Sequence, residues 1–534
     1  MTSRAIELEL FRHLLGSIAE EMGIVLRKTS YSANIKERRD YSCAIYDARG
    51  DAVAMGDHMP VHLGAMPVAV RAIREAFDLA PGDVALVNDP FRGGTHLPDI
   101  TAVAGIFTPG ARRPSFYAAN RAHHADVGGM SPGSMPLATE IYQEGLRIPP
   151  VLIQRAGKID RELLGLILAN VRTPAEREGD LLAQLMSIRR AEQRLQELTS
   201  KYGEAVVQTN MRELQNYSER MLRATLRKLP RGTYRFEDCL EGDGKSDRPL
   251  YVRVAVTLRG DTAMVDFTGS DPQAHGPVNA NLAVTTSAVM YVFRCLVPEE
   301  IPFTAGILRP VRIIAPEGTI VNALLPAAMA AGNVETSQRI TDVVLGALAQ
   351  AAPDRIPAAS SGTMNNLSFG GTYLEQTFSE RTISQRAAQR VFAYYETIAG
   401  GMGASCMGAG HSATHTHMTN SWNTPVEAFE HQFPVRIVSY RIRRNSGGEG
   451  LHRGGDGIVR EYEFLVPAEV TLLSDRRARG PYGLMGGRPG KPGRNTLTRN
   501  GSAKALPAKS RFEVEPNDVL RIETPGGGGW GEIR

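Results

Sequence analysis

Two His-x-x-Asp pairs stand close together in this chain: His96-Leu97-Pro98-Asp99 and His123-His124-Ala125-Asp126. Imidazole with carboxylate is the donor set favoured by borderline divalent metals such as Mn, Zn or Fe, whereas Mg prefers oxygen donors alone. Pro98 and the preceding Gly93-Gly94 make the first pair an irregular loop rather than a helix face, and the second pair runs into Gly128-Gly129. Three short apolar stretches around them, 84–87, 100–107 and 115–119, read as strands. If these form an antiparallel meander, the first ends, the second begins and the third ends at one edge of a sheet. That edge would gather His96, Asp99, His123 and Asp126. A single such pair is usually no more than a hydrogen-bonded couple; two pairs at converging strand ends point to a site.

Other stretches carry weaker chemistry. Lys36-Glu37-Arg38-Arg39-Asp40 lies between a long helix and a strand, where it is either a solvated turn or the polar wall of a site. His58 and His62 read as wall residues. Gly332-Asn333-Val334-Glu335-Thr336-Ser337-Gln338-Arg339 sets polar side chains at a helix start, where free N–H groups hold an anion unless the run is a plain cap. His415 and His417 fall on one face if their segment is a strand, a second pair of imidazoles without a carboxylate. Two nucleotide signatures fail. Gly490-Lys491 is followed by Pro492 where a phosphate loop needs Ser or Thr, and Gly526-x-Gly528-x-x-Gly531 has no helix after it to receive a pyrophosphate.

The elements that must position these residues are those of a mixed α+β chain. Residues 3–29 repeat apolar side chains at helical spacing, 67–79 form a helix, and 173–227 form a helix pair broken near Gly203. Residues 131–150, rich in Gly, Pro and Met, are long enough for a lid. Beyond Pro230 alternating strands begin, with helices near 284–297 and 335–352, and the last stretch is glycine-rich β structure. The division expected is 1–229 with the candidate metal site, 230–398 as a β-rich and helical middle, and 399–534 as a glycine-rich β unit.

Composition bounds the rest. The 534 residues are 42% hydrophobic and 22% charged with a net charge of +4, an ordinary globular balance without the basic, aromatic-laced surface of a nucleic-acid binder. Cys43, Cys239, Cys295 and Cys406 form no Cys-x-x-Cys pair, against a disulfide framework and for a reducing compartment. Neither a signal peptide nor a long apolar run appears, so a cytoplasmic protein that does not enter a membrane is expected.

The strings NDPFRGGTHLPDIT, RAHHADVGG, DFTGSDPQAHGPVN, GNVETSQRITD, THTHMTNSWNTPVE, RRNSGGEGLHRGGDG and ETPGGGGWGE resemble the hydantoinase B/5-oxoprolinase family over residues 3–531. The family includes B-type subunits of N-methylhydantoinase, one portion of 5-oxoprolinase, and the metal-bearing subunit of acetone and acetophenone carboxylases. The resemblance implies a divided reaction in a hetero-oligomer. A hydantoinase A-type ATPase subunit, carrying Mg-ATP, phosphorylates the carbonyl oxygen of a small cyclic amide, and the B-type chain completes ring opening. It also implies His96, Asp99 and His123 as ligands of a divalent metal, with Asp126 beside them and Glu37 facing the same pocket as catalytic candidates. A ketone carboxylase subunit and a scaffold for the A-type chain are the alternatives.

Overall fold

The computed structural model describes residues 3–56, 58–377 and 386–533. The α+β expectation holds. The first helix, Ser3–Thr29, turns Phe11, Leu15, Ile18, Met22 and Leu26 inward at steps of three and four. They pack on the helix Pro174–Tyr202 and on a seven-stranded sheet. That sheet comprises β1 (Tyr41–Tyr46), β2 (Ala52–Met55), β3 (Val84–Val87), β4 (Asp99–Ile106), β5 (Phe116–His123), β6 (Val151–Arg155) and β7 (Lys158–Ile159). Its order is β2-β1-β5-β4-β3-β6-β7, with every neighbour antiparallel.

Both faces of this sheet are covered. Ile100, Ala102, Ala104 and Ile106 of β4 enter the core under the two long helices, while Val103 enters the core under the helix Met66–Ala76. Double burial explains the continuous apolar runs of β3 and β4. β5 runs four residues past the expected end at 119, because Asn120 and Arg121 are polar yet fully buried. The Asn120 amide donates to the Gln184 carbonyl at 2.8 Å, and Arg121 Nε donates to Thr101 Oγ1 at 2.7 Å. Polarity therefore hid a strand whose buried Asn120 and Arg121 find hydrogen-bond partners inside the fold.

The helix pair breaks at Gly203, giving Pro174–Tyr202 and Glu204–Arg227. A four-stranded sheet follows, in which Val311–Ile314 runs parallel to Thr262–Asp266 beside Leu250–Arg259 and Gly232–Leu240. It packs with the helices Leu282–Cys295 and Ser337–Ala349 into one core. Toward the C-terminus two antiparallel sheets meet over Phe369, Phe429, Phe433, Tyr462 and Phe464. Between them the tail threads through other extended glycine segments: Gly527 N donates to Gly455 O, Gly528 N to Ala359 O and Gly529 N to Arg488 O. A Cβ on Gly527 would stand 2.1 Å from the Met402 carbonyl, so the segments approach this closely only without side chains. The Gly-x-Gly-x-x-Gly string is thus a packing device.

Two further expectations are corrected. Residues 131–150 are no lid: Ser131, Ser134, Met135, Ala138, Ile141 and Glu144 are buried, and Ile141 N donates to Pro326 O. The segment holding His415 and His417 is not a strand, and His417 takes φ +58. All four cysteines are free. Among the described residues, no helix is long and apolar enough to cross a membrane.

Candidate metal centre

The centre is made by sheet register. Asp99, the first residue of β4, lies directly across the ladder from His123, the last of β5, so the two side chains share one face at one edge. His96 arrives from the turn between β3 and β4. Asn88 fixes that turn through its side chain, donating to Leu97 O at 2.8 Å and accepting from Ile148 N at 2.6 Å. Gly93 sits at φ +108, and a Cβ on Gly94 would lie 2.0 Å from Asn88 O, so this tight loop requires both glycines.

Asp99 Oδ1 stands 3.3 Å from His96 Nε2 and 3.3 Å from His123 Nδ1. One donor atom from each of these three buried residues lies within 4.8 Å of the others. Thr95 Oγ1 donates to Asp99 Oδ2 at 3.0 Å, and Asn333 Nδ2 approaches both Asp99 Oδ2 at 3.3 Å and His96 Nε2 at 3.1 Å. The Nδ1 of His96 faces the Ala330 carbonyl at 3.1 Å and so carries the ring proton, which leaves Nε2 as a lone pair. Tyr395 stacks on His123 at 4.4 Å and 14°, fixing its ring plane.

These contacts fit a cation. A lone pair on His96 Nε2 and the carboxylate oxygen Asp99 Oδ1 face each other, and Oδ1 has no hydrogen-bond partner; neither has His123 Nε2 nor Asn333 Oδ1. Buried acceptors set against one another repel unless positive charge stands between them. Burial alone would raise the Asp99 carboxyl, but the surrounding imidazoles of His96, His62 and His123 hold it well below the usual carboxylate range. Burial lowers His123, which favours its neutral imidazole, the form that a metal ligand needs.

The sequence missed two members. His62 Nε2 lies 3.3 Å from Asp99 Oδ2 and its Nδ1 is 2.9 Å from Ser42 Oγ, although it had read as a mere wall residue. Asn333 comes from the polar run 332–339, which is not an open anion site. Its start is a π-turn, Gly332–Thr336, whose Val334 and Glu335 N–H groups are spent on Ala331 O. Asp126 does not join the cluster. Its oxygens accept from Gly128 N, Gly133 N, Arg172 N and Arg172 Nη1, so it pins its own loop. Glu37 is half-buried at the end of the turn Ala33–Lys36; its neighbours serve the centre instead. Asn34 Nδ2 donates to His123 O at 2.7 Å, Asp40 O accepts from His123 N, and Arg38 Nη1 donates to Tyr395 O at 2.9 Å.

Larger grooves lie elsewhere: one of about 770 Å³ beside Phe107, Gln196 and Glu204 and one of about 670 Å³ beside Asp83, Arg189 and Glu192 include none of these residues. A cavity of about 410 Å³ is lined by Pro60, of the turn Pro60–His62 that carries His62.

Fold and centre together define an α+β protein whose sheet edge presents two imidazoles and one carboxylate with donor atoms left open. More particularly, the chain belongs to the hydantoinase B/oxoprolinase family, whose family model matches residues 4–533. It is 39% identical to an uncharacterised protein of Methanocaldococcus jannaschii, over 98% of this chain and 90% of that one. It is also 39% identical to 5-oxoprolinase 1 of Arabidopsis thaliana, where 98% of this chain spans only 42% of the relative. A Pseudomonas sp. chain provisionally named as the B-type subunit of a D-/L-hydantoinase is 30% identical over 97% of this chain and 88% of its own length. The crystal structure of an ATP-dependent caprolactamase from Pseudomonas jessenii superposes with a TM-score of 0.89 at 28% identity, covering 100% of this chain and 92% of that one. Nucleotide-free acetone carboxylase shares the fold, with a TM-score of 0.87 at 19% identity, over 99% of this chain and 76% of that one.

Proposed function

We propose that this chain is the B-type subunit of an ATP-dependent cyclic-amide hydrolase. In this reading it completes ring opening of a hydantoin or 5-oxoproline-like lactam after a hydantoinase A-type partner, using Mg-ATP, has phosphorylated the carbonyl oxygen. The observation that carries the reading is the Asp99 cluster, whose His96 Nε2, Asp99 Oδ1 and His123 would hold one divalent ion, Mn, Zn or Fe. Such an ion supplies Lewis acidity and a water of lowered pKa, which attack on an amide carbon needs. Membership of the family and the caprolactamase likeness support the class of reaction.

The chain's own residues set the geometry. Ala330 O turns His96 so that Nε2 faces inward, Thr95 and Asn333 occupy Asp99 Oδ2 and leave Oδ1 open, and Tyr395 holds the plane of His123. Burial of all these groups keeps bulk water from an activated substrate.

Co-purification with the A-type partner and an assay of ATP hydrolysis driven by hydantoin or 5-oxoproline tests this. Turnover is expected only with both chains and ATP, with about one divalent ion per chain. His96→Ala is expected to abolish turnover while assembly persists. Ring opening by this chain alone without ATP, or full turnover in His96→Ala, would overturn the reading. Dependence on bicarbonate and a ketone would replace it with the carboxylase alternative.

A further inference from the structure

The Gly490-Lys491 step, which fails as a phosphate loop, borders a pocket that the chemistry proposed above does not use. This pocket, of about 590 Å³, lies at the end of Val435–Arg443, the edge strand of a five-stranded sheet. Arg441, Arg443, Arg444, Lys491 and Arg521 line it against the single carboxylate of Glu523. That excess of four positive charges equals the net charge of the whole chain, so the rest of the molecule balances to zero.

The backbone brings these side chains together from three segments. Lys491 N donates to Ser446 O at 2.7 Å, just beyond the strand, and Arg443 Nη1 donates to Pro492 O at 2.7 Å and to Thr524 O at 3.1 Å. Arg443 is thereby built into the fold, with a side chain only 13% exposed. Its Nε shares Glu523 Oε1 with Arg521 Nη2, at 3.5 and 3.3 Å. Burial lowers Arg443 below the usual arginine range; Glu523 opposes this, while Arg494 and Arg521 push the same way as burial. One carboxylate does not offset the cations around it.

Three of the cations have no partner at all. Arg441, Arg444 and Lys491 make no ion pair or side-chain hydrogen bond among the described residues. Other arginines of the same sheet find carboxylates: Arg436 pairs with Glu463 at 2.9 Å and Arg499 with Asp518 at 2.6 Å. Charges that merely keep an edge strand from pairing with another chain would account for Arg441 and Arg444. They would not call for Lys491 from a separate segment, nor for the mostly buried Arg443 beside them. A concave surface with one sign of charge concentrates its field on an incoming anion.

We propose that this pocket binds a pair of linked phosphates, as in inorganic pyrophosphate or an organic diphosphate ester, with Arg441, Arg444 and Lys491 donating to the phosphate oxygens. A phosphate carries about 1.5–2 negative charges near neutral pH, so two linked groups come close to the local excess of four. Guanidinium forks match phosphate oxygens in pairs, and an ammonium adds a compact point charge. Ile442, itself 46% exposed, gives the pocket an apolar wall for the organic part of an ester. None of the lining residues belongs to the Asp99 cluster, so the site stands independently of the metal reading.

The test is calorimetric titration of the full chain at low salt, without added divalent metal, using inorganic pyrophosphate, ADP and orthophosphate as probes. Pyrophosphate, ADP or both are expected to bind saturably and more tightly than orthophosphate. Binding of pyrophosphate alone assigns an inorganic ligand, and tighter binding of ADP assigns an ester. Arg444→Gln and Lys491→Gln are each expected to weaken the binding about tenfold with the thermal midpoint unchanged. Arg436→Gln removes a charge from the same strand outside the pocket and is expected to leave the affinity as it was; Asp99→Ala, at the metal centre, is expected to do the same. Absence of saturable binding by both diphosphates, orthophosphate binding as tightly as either, or an unchanged affinity in both pocket variants would overturn the proposal. So would an equal loss in Arg436→Gln, which would reduce the effect to overall charge, or a loss in Asp99→Ala, which would place the anion at the metal centre.

Discussion

Replacing Glu144 by Gln should stabilise the protein, increasingly so as pH rises. The glutamate lies fully buried in the segment once expected to be a lid, and Oε1 accepts from Met329 N at 2.7 Å and Ala330 N at 2.9 Å. Those donors favour the carboxylate, but burial outweighs them and the carboxyl is pushed up to about 8 from an ordinary 4.5. Between these values the folded chain holds a proton that the unfolded chain has released. The folded state is therefore undiminished below about pH 4.5, and loses stability as pH climbs toward 8. With about 1.36 kcal/mol for each pKa unit, the loss is about 3 kcal/mol at pH 7 and approaches about 5 kcal/mol above pH 8. Gln cannot ionise, keeps the accepting oxygen, and leaves its N–H₂ unpartnered where the acid leaves its O–H, so it lacks this slope. Thermal midpoints of wild type and Glu144→Gln, measured between pH 5 and 8, should coincide at the acid end and separate in the variant's favour at the alkaline end. Midpoints that track each other across the range would refute the argument. Because Ala330 O orients His96, metal content at pH 7 should be retained in the variant.

Substitutions at four other positions test other parts of the fold. Gly527→Ala places a Cβ 2.1 Å from Met402 O and should sharply lower the thermal midpoint, whereas Gly16→Ala, in mid-helix with nothing within 4 Å, should raise stability by about 0.5–1 kcal/mol. Asp342→Ala removes a buried carboxylate that accepts from Arg339 and Arg476, both at 2.8 Å, and should cost about 3–5 kcal/mol in chemical denaturation. Tyr395→Phe loses the hydrogen bond to Asn366 but keeps the ring against His123, so elemental analysis should find wild-type metal content, while Tyr395→Leu should reduce it.

How far the site was legible follows from the distance over which each residue acts. The three strands around it could be read because both their faces are buried and their ends are marked by Gly, Pro and polar clusters. Once they pair as a meander, the meeting of His96, Asp99 and His123 is a consequence of direction. Asp126 obeyed the same local pattern yet faces its own loop, because Arg172 lies 46 residues further on, in the bend before the helix Pro174–Tyr202, and nothing near Asp126 announces it. His62, Asn333 and Tyr395 were hidden for the same reason. They belong to a turn, a π-turn and a strand of another sheet, and only tertiary packing brings them to Asp99 and His123. Local pattern thus reached the residues carried by one sheet. The groups that orient those residues come from three separate parts of the chain, so a change at Asn333 or Tyr395 should register at the metal centre although no motif links them. The glycine tail inverts the lesson. Its Gly-x-Gly-x-x-Gly string is a local pattern with a known chemistry, yet its glycines are needed because the carbonyls of Ser446 and Tyr482 press against Gly526 and Gly528 and because Gly531 takes φ +78.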